Sequence, residues 1–342
     1  MNPVSNPPGP QPSRRHALRR LGALALAPAA APWARASDSP AKPYPTKPVR
    51  ILIGYAPGGS ADVSARIAAE ALQNALGQSV VVENLPGASG SIAARTAARA
   101  APDGHTLLLG NTNEVSIFQY LNKNPGYDPL TDLVPVAPVY NLTHAIAVTA
   151  KSPHQSLNDL LSHAQAHPDA VTFASAGIGS VGHLAGETLA LSTQTKLTHV
   201  PYKGGGQVLA DLLGGQLTCH FGAISTVMPH MRSGALRLLA VTSQQRVQAA
   251  PDIPTVSEVA KIEDFDFPLW GGIFVPASTP RDIVTRLNTA LNQAYRRPDV
   301  QNRISALYSD IWSATPEEFA RFLAADARRY ERAIKESRIL PQ

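Results

Sequence analysis

The chain has 342 residues, 30 Lys and Arg against 25 Asp and Glu for a net charge of +5, and only 6% aromatic residues. Five of the basic residues, Arg14, Arg15, Arg19, Arg20 and Arg35, fall in the first 36 positions, where no acid stands, so the remaining 306 residues carry 25 of each sign. A neutral body without basic stretches interleaved with aromatics offers no footprint to a phosphate backbone, which excludes nucleic-acid binding.

The N-terminus reads as an export signal over residues 1–36. A Pro-rich lead precedes Ser13-Arg14-Arg15-His16-Ala17-Leu18-Arg19, an apolar stretch runs from Leu21 to Ala31, and Ala34-Arg35-Ala36 is a small-x-small cleavage site. The arginine pair has a twin-arginine look, although Ala17 stands where that motif carries a bulky residue, and Arg19 and Arg20 equally suit an ordinary secretory signal. The apolar stretch is far shorter than the roughly 20 residues of a spanning helix. The remaining length exceeds what one hydrophobic core usually organises and favours two lobes.

From Val49 to Gly110 the pattern alternates strand and helix: Val49 to Tyr55, Asp62 to Leu76, Ser79 to Glu83, Ile92 to Ala101 and Thr106 to Leu109. Such alternation predicts a parallel sheet covered by helices. Gly77 ends the first helix, and Pro102-Asp103-Gly104 marks a turn. A Pro-punctuated stretch, Asn124 to Pro138, reads as a boundary before the apolar Ala145 to Thr149. A second alternating block follows: a helix over Leu157 to His167, a strand over Val171 to Ala174, a Gly/Ser loop with its helix, Leu197 to Pro201, a helix over Gln207 to Leu213, Leu217 to Phe221, and Leu236 to Thr242. Cys219, the only cysteine, reads as a small buried hydrophobe. Ala249 to Pro268 is rich in Pro and Asp and reads as a second crossing between lobes, ahead of the strand Gly271 to Val275. Two closing helices start at Thr279-Pro280 and Thr315-Pro316, with Thr as cap, Pro at the first helical position and Glu318 completing a capping box.

Two of these connections carry chemistry. In RILIGYAPGGSADVSARIAAEAL and VTFASAGIGSVGHLAGETLAL an apolar strand runs through a Gly/Ser loop straight into a helix. The first helical N–H groups have no intrahelical partner and the helix dipole places about half a positive charge there, so each loop is suited to a carboxylate or phosphate. Either loop alone reads equally well as an ordinary strand-to-helix turn; the pair favours two anion sites facing one cleft.

Competing motifs fail on their context. Gly177-Ile178-Gly179-Ser180-Val181-Gly182 satisfies GxGxxG, but the next strand ends in Thr198-His199-Val200-Pro201 without the acid that a ribose needs. No GxSxG surrounds Ser60, Ser89 or Ser180, so a nucleophile elbow is unsupported. His163 and His167 share a helix face without a third ligand, and His220 and His230 stand apart from other ligand types, so neither a metal nor a cofactor is expected.

The ordered set Tyr44-Pro45-Thr46-Lys47-Pro48, Pro57-Gly58-Gly59-Ser60-Ala61-Asp62, Val82-Glu83-Asn84-Leu85-Pro86-Gly87-Ala88, Ala101 to Leu107, Tyr127-Asp128-Pro129, Ala174-Ser175-Ala176-Gly177, His183-Leu184-Ala185-Gly186-Glu187 and the Gly-rich run Pro201 to Gln216 resembles the Bug family, the substrate-binding proteins of tripartite tricarboxylate transporters. Leu239 to Ser243 and Pro254-Thr255-Val256 extend the likeness, which spans Tyr44 to the C-terminus. The resemblance implies a periplasmic α/β protein of type II binding-protein topology, with two Rossmann-like lobes joined by two crossover segments, here residues 44–142 plus 266–342 and residues 143–265. It implies a monomer that binds a small carboxylate in the interlobe cleft and delivers it to membrane subunits or to a sensor protein; the rival is an enzyme acting on an organic acid in that cleft. The candidate ligand-binding set is Tyr55, Pro57, Gly58, Gly59, Ser60 and Asp62 around the first loop, Thr112 and Asn113, Ser175, Gly177, Gly179 and Ser180 around the second, and Tyr202, Lys203 and Gly222. Asp62 suits a helix cap better than a ligand contact, because its charge would repel a bound carboxylate. In the family the strand after Gly215-Gln216 ends in Phe-Asp, whereas here it ends in Phe221-Gly222. With no acid at that end to balance an ammonium, the expected solute is a simple carboxylic acid and not an amino acid.

Cleavage after Ala36 is expected to leave Ser37 as the first residue of protein recovered from the periplasm, which intact-mass measurement checks; full-length protein confined to the cytoplasm would contradict it.

Overall fold

The computed structural model describes residues 44–337 except Lys203, Gly204, Ala249 and Ile311, together with Ile339. The export signal of residues 1–36 and the candidate Lys203 therefore lie outside the described residues. Strands and helices alternate along the chain: β1 (Val49–Ile53), α1 (Ser60–Leu76), β2 (Val80–Asn84), α2 (Ser91–Ala98), β3 (Thr106–Asn111), α3 (Phe118–Leu121), β4 (Leu133–Leu142), β5 (His144–Thr149), α4 (Leu157–Ala166), β6 (Val171–Ser175), α5 (Val181–Ser192), β7 (Leu197–Pro201), α6 (Gly205–Leu213), β8 (Cys219–Ala223), α7 (Ile224–Arg232), β9 (Leu236–Val241), α8 (Val256–Ala260), β10 (Leu269–Pro276), α9 (Arg281–Ala294), α10 (Pro298–Ser305) and α11 (Pro316–Glu336).

The strands form two five-stranded sheets, ordered β2-β1-β3-β10-β4 and β7-β6-β8-β5-β9. β1 pairs in parallel with β2 and β3, and β6 with β7 and β8, as the alternating pattern requires. β10 and β5 enter antiparallel, so each sheet is mixed and the fold is the two-lobed α/β architecture of a type II binding protein. The chain passes from the first sheet to the second through Thr143 alone, and it returns between Thr242 and Leu269. The two crossings lie side by side: Thr242 N donates to His144 O at 2.9 Å, and Phe267 N to Thr242 O at 3.0 Å.

Three expectations are corrected here. The Pro-punctuated stretch to Pro138 is not all boundary, because β4 starts at Leu133 and contains Pro135 and Pro138. It can do so as an edge strand whose pairing with β10 is broken by two register shifts, where a missing N–H costs little. α11 starts with its capping box as predicted, Thr315 and Glu318 bonding reciprocally at 3.1 and 2.8 Å. In α9, by contrast, Pro280 itself occupies the cap position, and the Thr279 hydroxyl donates to Pro276 O at 2.7 Å. The chain also closes with three helices, α9, α10 and α11, where the sequence suggested two.

Two glycines decide how α5 sits. A Cβ on Gly182 would lie 2.3 Å from Phe221 O, and one on Gly186 would lie 2.3 Å from the Phe173 ring. The last glycine of the GxGxxG run thus serves close helix–sheet packing and needs no nucleotide to explain it. α11 ties both lobes: Phe319 and Leu323 pack with Trp270 and Phe274 near β10, while Tyr330, Ala333 and Ile334 join the core formed by Phe173, Leu184 and Phe221. No helix among the described residues is long and apolar enough to cross a membrane.

Candidate functional site

The carboxyl ends of both sheets meet over a cleft. A cavity of about 200 Å³ lies between Ser89, Asn113, Phe118 and Leu121 on one side and Ile178 and Gly179 on the other. A second cavity, of about 120 Å³, is lined by Asn113, His144, Ser180, His220, Gly222 and Thr226, among others. Asn113 borders both. Among the described residues lining them there is no Lys, Arg, Asp or Glu.

The first loop leads out of β1 through exposed Pro57, Gly58 and Gly59 into α1, whose cap is Gly59 with no side-chain bond. Gly58 holds φ +91, a conformation suited to glycine, and its N–H donates to Asp62 Oδ2 at 3.0 Å. Asp62 is buried and also receives Arg66 Nε and Nη2 and Asn84 Nδ2, each at 3.0 Å. These bonds hold its carboxyl below the usual range against the opposing effect of burial. Asp62 is thus committed to bracing the loop, whereas the Ser60 and Ala61 N–H groups take no partner among the described residues. The cavities do not include Pro57 to Ser60, and a Cβ on Gly58 or Gly59 would meet open space.

Tyr55, at the end of the same strand, reaches a carboxyl that the sequence analysis passed over. Its hydroxyl lies 2.6 Å from Glu114 Oε2, 3.1 Å from Asn111 Oδ1 and 3.3 Å from Ser89 O, and Asn113 Nδ2 donates to it at 3.4 Å. Glu114 is 0% exposed, in a π-helical turn over Asn113–Ile117, and Asn111 N donates to its Oε1 at 2.9 Å. Burial pushes the carboxyl up to about 8, against the opposing hydrogen bonds. In its acid form Glu114 donates to Tyr55, whose hydroxyl then turns to Asn111 or Ser89. Thr112 is 0% exposed and its hydroxyl accepts Trp270 N at 3.0 Å, which fixes β10 against the turn.

The second loop is braced from below. Ser175, 0% exposed, donates to Gly177 O at 3.0 Å and lies 2.8 Å from His199 Nε2. Ser180 caps α5 by accepting His183 N, and its hydroxyl donates to Gly177 O at 2.8 Å. Gly179 N donates to His183 Nδ1 at 3.0 Å, and the His183 and His199 rings stack at 3.8 Å. Gly179 also needs to be glycine, since it holds φ +74 and a Cβ would meet Leu121 Cδ1 across the cleft at 2.1 Å. Tyr202 is turned to its own lobe, its hydroxyl donating to Asp211 at 2.5 Å.

Gly222 lines the smaller cavity, and the structure shows what stands there in place of a side chain. A Cβ at this position would lie 2.1 Å from His220 Nε2, so the imidazole of the residue two positions earlier fills the space. An acid introduced at Gly222 would collide with that ring. The structure therefore brings together Asn113, Gly179, Ser180 and Gly222 around the cavities, and leaves Asp62, Thr112, Ser175 and Tyr202 as supports.

Comparison with known proteins settles the family. The family described as Tripartite tricarboxylate transporter family receptor matches residues 64–339. The chain belongs to this receptor family. Among solved structures, the periplasmic binding protein BugD is similar at 32% identity with TM-score 0.77, covering 87% of this chain and 100% of that one. A second receptor-like neighbour, Rpa4515 of R. palustris with adipate, has 30% identity, TM-score 0.81 and the same coverage. MatC from Rhodopseudomonas palustris with bound malate has 30% identity and TM-score 0.75 over 85% of this chain and 100% of that one.

Glu114 gives the receptor a measurable pH signature. The folded protein holds that proton up to about pH 8, while the unfolded chain releases it near the ordinary value of 4.5. Folding therefore binds the extra proton between these values, and this contribution to stability is full below about 4.5 and lost as pH rises through about 8. Glu114→Gln keeps an acceptor for Asn111 N and removes the titration. Denaturation at pH 5 and pH 9 is expected to show the stability difference moving toward the variant by on the order of 4 kcal/mol at high pH; a difference independent of pH would contradict the assignment.

Proposed function

We propose that this protein is an exported, monomeric periplasmic receptor that captures a small carboxylic acid between its lobes and passes it to the membrane subunits of a tripartite transporter. The observation that carries the reading is the pair of adjoining cavities that share Asn113, one lined by Gly179 and the other by Ser180 at the N-terminus of α5, with no Lys, Arg, Asp or Glu among the described lining residues. A carboxylate placed there accepts N–H donors that the helix leaves unpaired, each such bond contributing about 1.5–3 kcal/mol and the helix dipole up to about 1. Micromolar capture needs about 8 kcal/mol, which a few such bonds and buried ligand surface supply. The acids named with two neighbours, adipate and malate, support the same ligand class. The family consists of receptors, so the assignment is to binding and not to catalysis.

The lobes are taken as residues 44–142 with 266–342 and residues 143–265, consistent with the membership of the two sheets. Gly179 of one lobe already lies against Leu121 of the other.

Thermal denaturation against a panel of mono- and dicarboxylic acids, with and without chelator, tests the assignment. Some acids are expected to stabilise the protein by about 2.7 kcal/mol at a hundredfold excess over Kd, without any effect of chelator. Asn113→Ala is expected to weaken the best acid about tenfold or more. Stabilisation by sugars or amines and by no acid would overturn the reading.

A further inference from the structure

His220 is 1% exposed and forms part of the wall of the smaller cavity. Its Nδ1 lies 3.0 Å from Ala174 O. A carbonyl oxygen only accepts, so Nδ1 carries the proton and Nε2 of the neutral ring is left with a lone pair. Nε2 has no hydrogen-bond partner among the described residues, and it lies over Gly222, where any side chain would overlap it. The two residues act as a pair: glycine at one position makes room for the imidazole from the other.

The same cavity holds a second unpartnered acceptor, Asn113 Oδ1, and a further unpartnered ring nitrogen, His144 Nδ1, whose role as donor or acceptor follows its tautomer. Its two hydroxyls are already engaged as donors, Ser180 to Gly177 O and Thr226 to Ala223 O, at 2.8 and 2.7 Å. One end of the site therefore offers acceptors, whereas the α5 terminus offers donors. A carboxylate facing Nε2 would meet a lone pair, and an ammonium there would find no anion among the described lining residues. A hydroxyl satisfies the acceptor without bringing charge. Resting on the receptor reading above, we propose that His220 Nε2 is a specificity-determining acceptor that selects carboxylic acids bearing a hydroxyl group, the carboxylate lying toward the α5 N-terminus and the hydroxyl donating to the imidazole.

The surroundings keep the ring in the form this requires. Burial pushes His220 down to about 4, partly opposed by its bond to Ala174 O. The facing titratable group is His144 of β5, which burial and the nearby His220 lower to about 3; the remaining residues around the cavity carry no titratable side chain. Both rings are neutral at pH 7, so a hydroxy acid enters without proton uptake, whereas an acid that placed a carboxylate on Nε2 would bring a proton with it.

The test is calorimetric titration of the wild-type protein, His220→Leu and His220→Gln with matched acids: malate and succinate, lactate and propionate, 4-hydroxybenzoate and benzoate. In at least one pair the hydroxylated acid is expected to bind the wild type about tenfold or more tightly, the worth of one buried hydrogen bond. That preference is expected to fall to within about threefold in His220→Leu and to survive in part in His220→Gln, whose amide oxygen accepts. Titration in two buffers of different ionisation enthalpy is expected to show no proton uptake at pH 7. A preference unchanged in both variants, or uptake of one proton per ligand, would overturn the proposal. So would binding of acids with no preference in any pair, which leaves the carboxylate receptor standing. Binding by none of the acids would overturn both readings. Nitrogen NMR of the wild-type imidazole needs no variant: an unprotonated Nε2 and a protonated Nδ1 are expected at pH 7, and the reverse would refute the assignment.

Discussion

A carboxyl at 0% exposure has to be answered by its neighbours, and the first lobe's side of the cleft is organised around that requirement at Glu114. Left unpaired, a buried acid costs several kcal/mol. The structure meets the cost by drawing Asn111 N onto one oxygen and the Tyr55 hydroxyl onto the other. Each partner belongs to a different strand end, so one side chain sets the position of β1, β3 and the π-helical turn relative to one another. Gly90 shows how tightly this is done, since a Cβ there would lie 2.8 Å from the Glu114 carboxyl. Asn113, which borders both cavities, is fixed as a by-product: its N–H donates to Asn111 Oδ1 at 2.9 Å and its amide to Tyr55.

The second lobe solves a different problem with different chemistry. Its loop carries no buried acid. It is held by Ser175, Ser180 and the stacked His183 and His199 rings, with burial and then His183 lowering His199 to about 3. The neutral His199 imidazole supplies a hydrogen bond without importing charge. On the proposed receptor reading, such a site would hold an anion through oriented dipoles and release it without breaking a strong ion pair. Asp326 of α11 receives Trp270 Nε1 at 2.6 Å and the Ser116 hydroxyl at 2.7 Å, linking the C-terminal helix, β10 and the turn that carries Asn113.

Much of this was legible in the sequence. The strand–loop–helix units around Gly58 and Gly179 stood out because glycine and serine interrupt apolar runs at a helix start, and Gly77 ends α1 in the left-handed conformation expected of it. What escaped notice depends on contacts between distant positions. Glu114 in Asn111-Thr112-Asn113-Glu114 looks like a solvated residue in a polar run, and only the π-helical turn directs it inward. α7 was hidden by Pro229, and α10 by its short, polar sequence. His220 reads as isolated because it meets its neighbours through strand register, with Ala174 against His220. The spacing of His220 and Gly222 on one face of β8 was the available signal, for a glycine two residues after a bulky side chain leaves room for it.

The central claim is that the solute lies between Asn113 and the start of α5. The most direct measurement is a crystal structure of the protein with an acid that it binds in solution. The account predicts density for a carboxylate against the Ile178–Val181 turn, with Asn113 within hydrogen-bond distance of the ligand and the first loop closing over it. Density confined to the outer groove formed by Gln244, Lys261 and Asp264, with the interlobe cavity left to water, would contradict it.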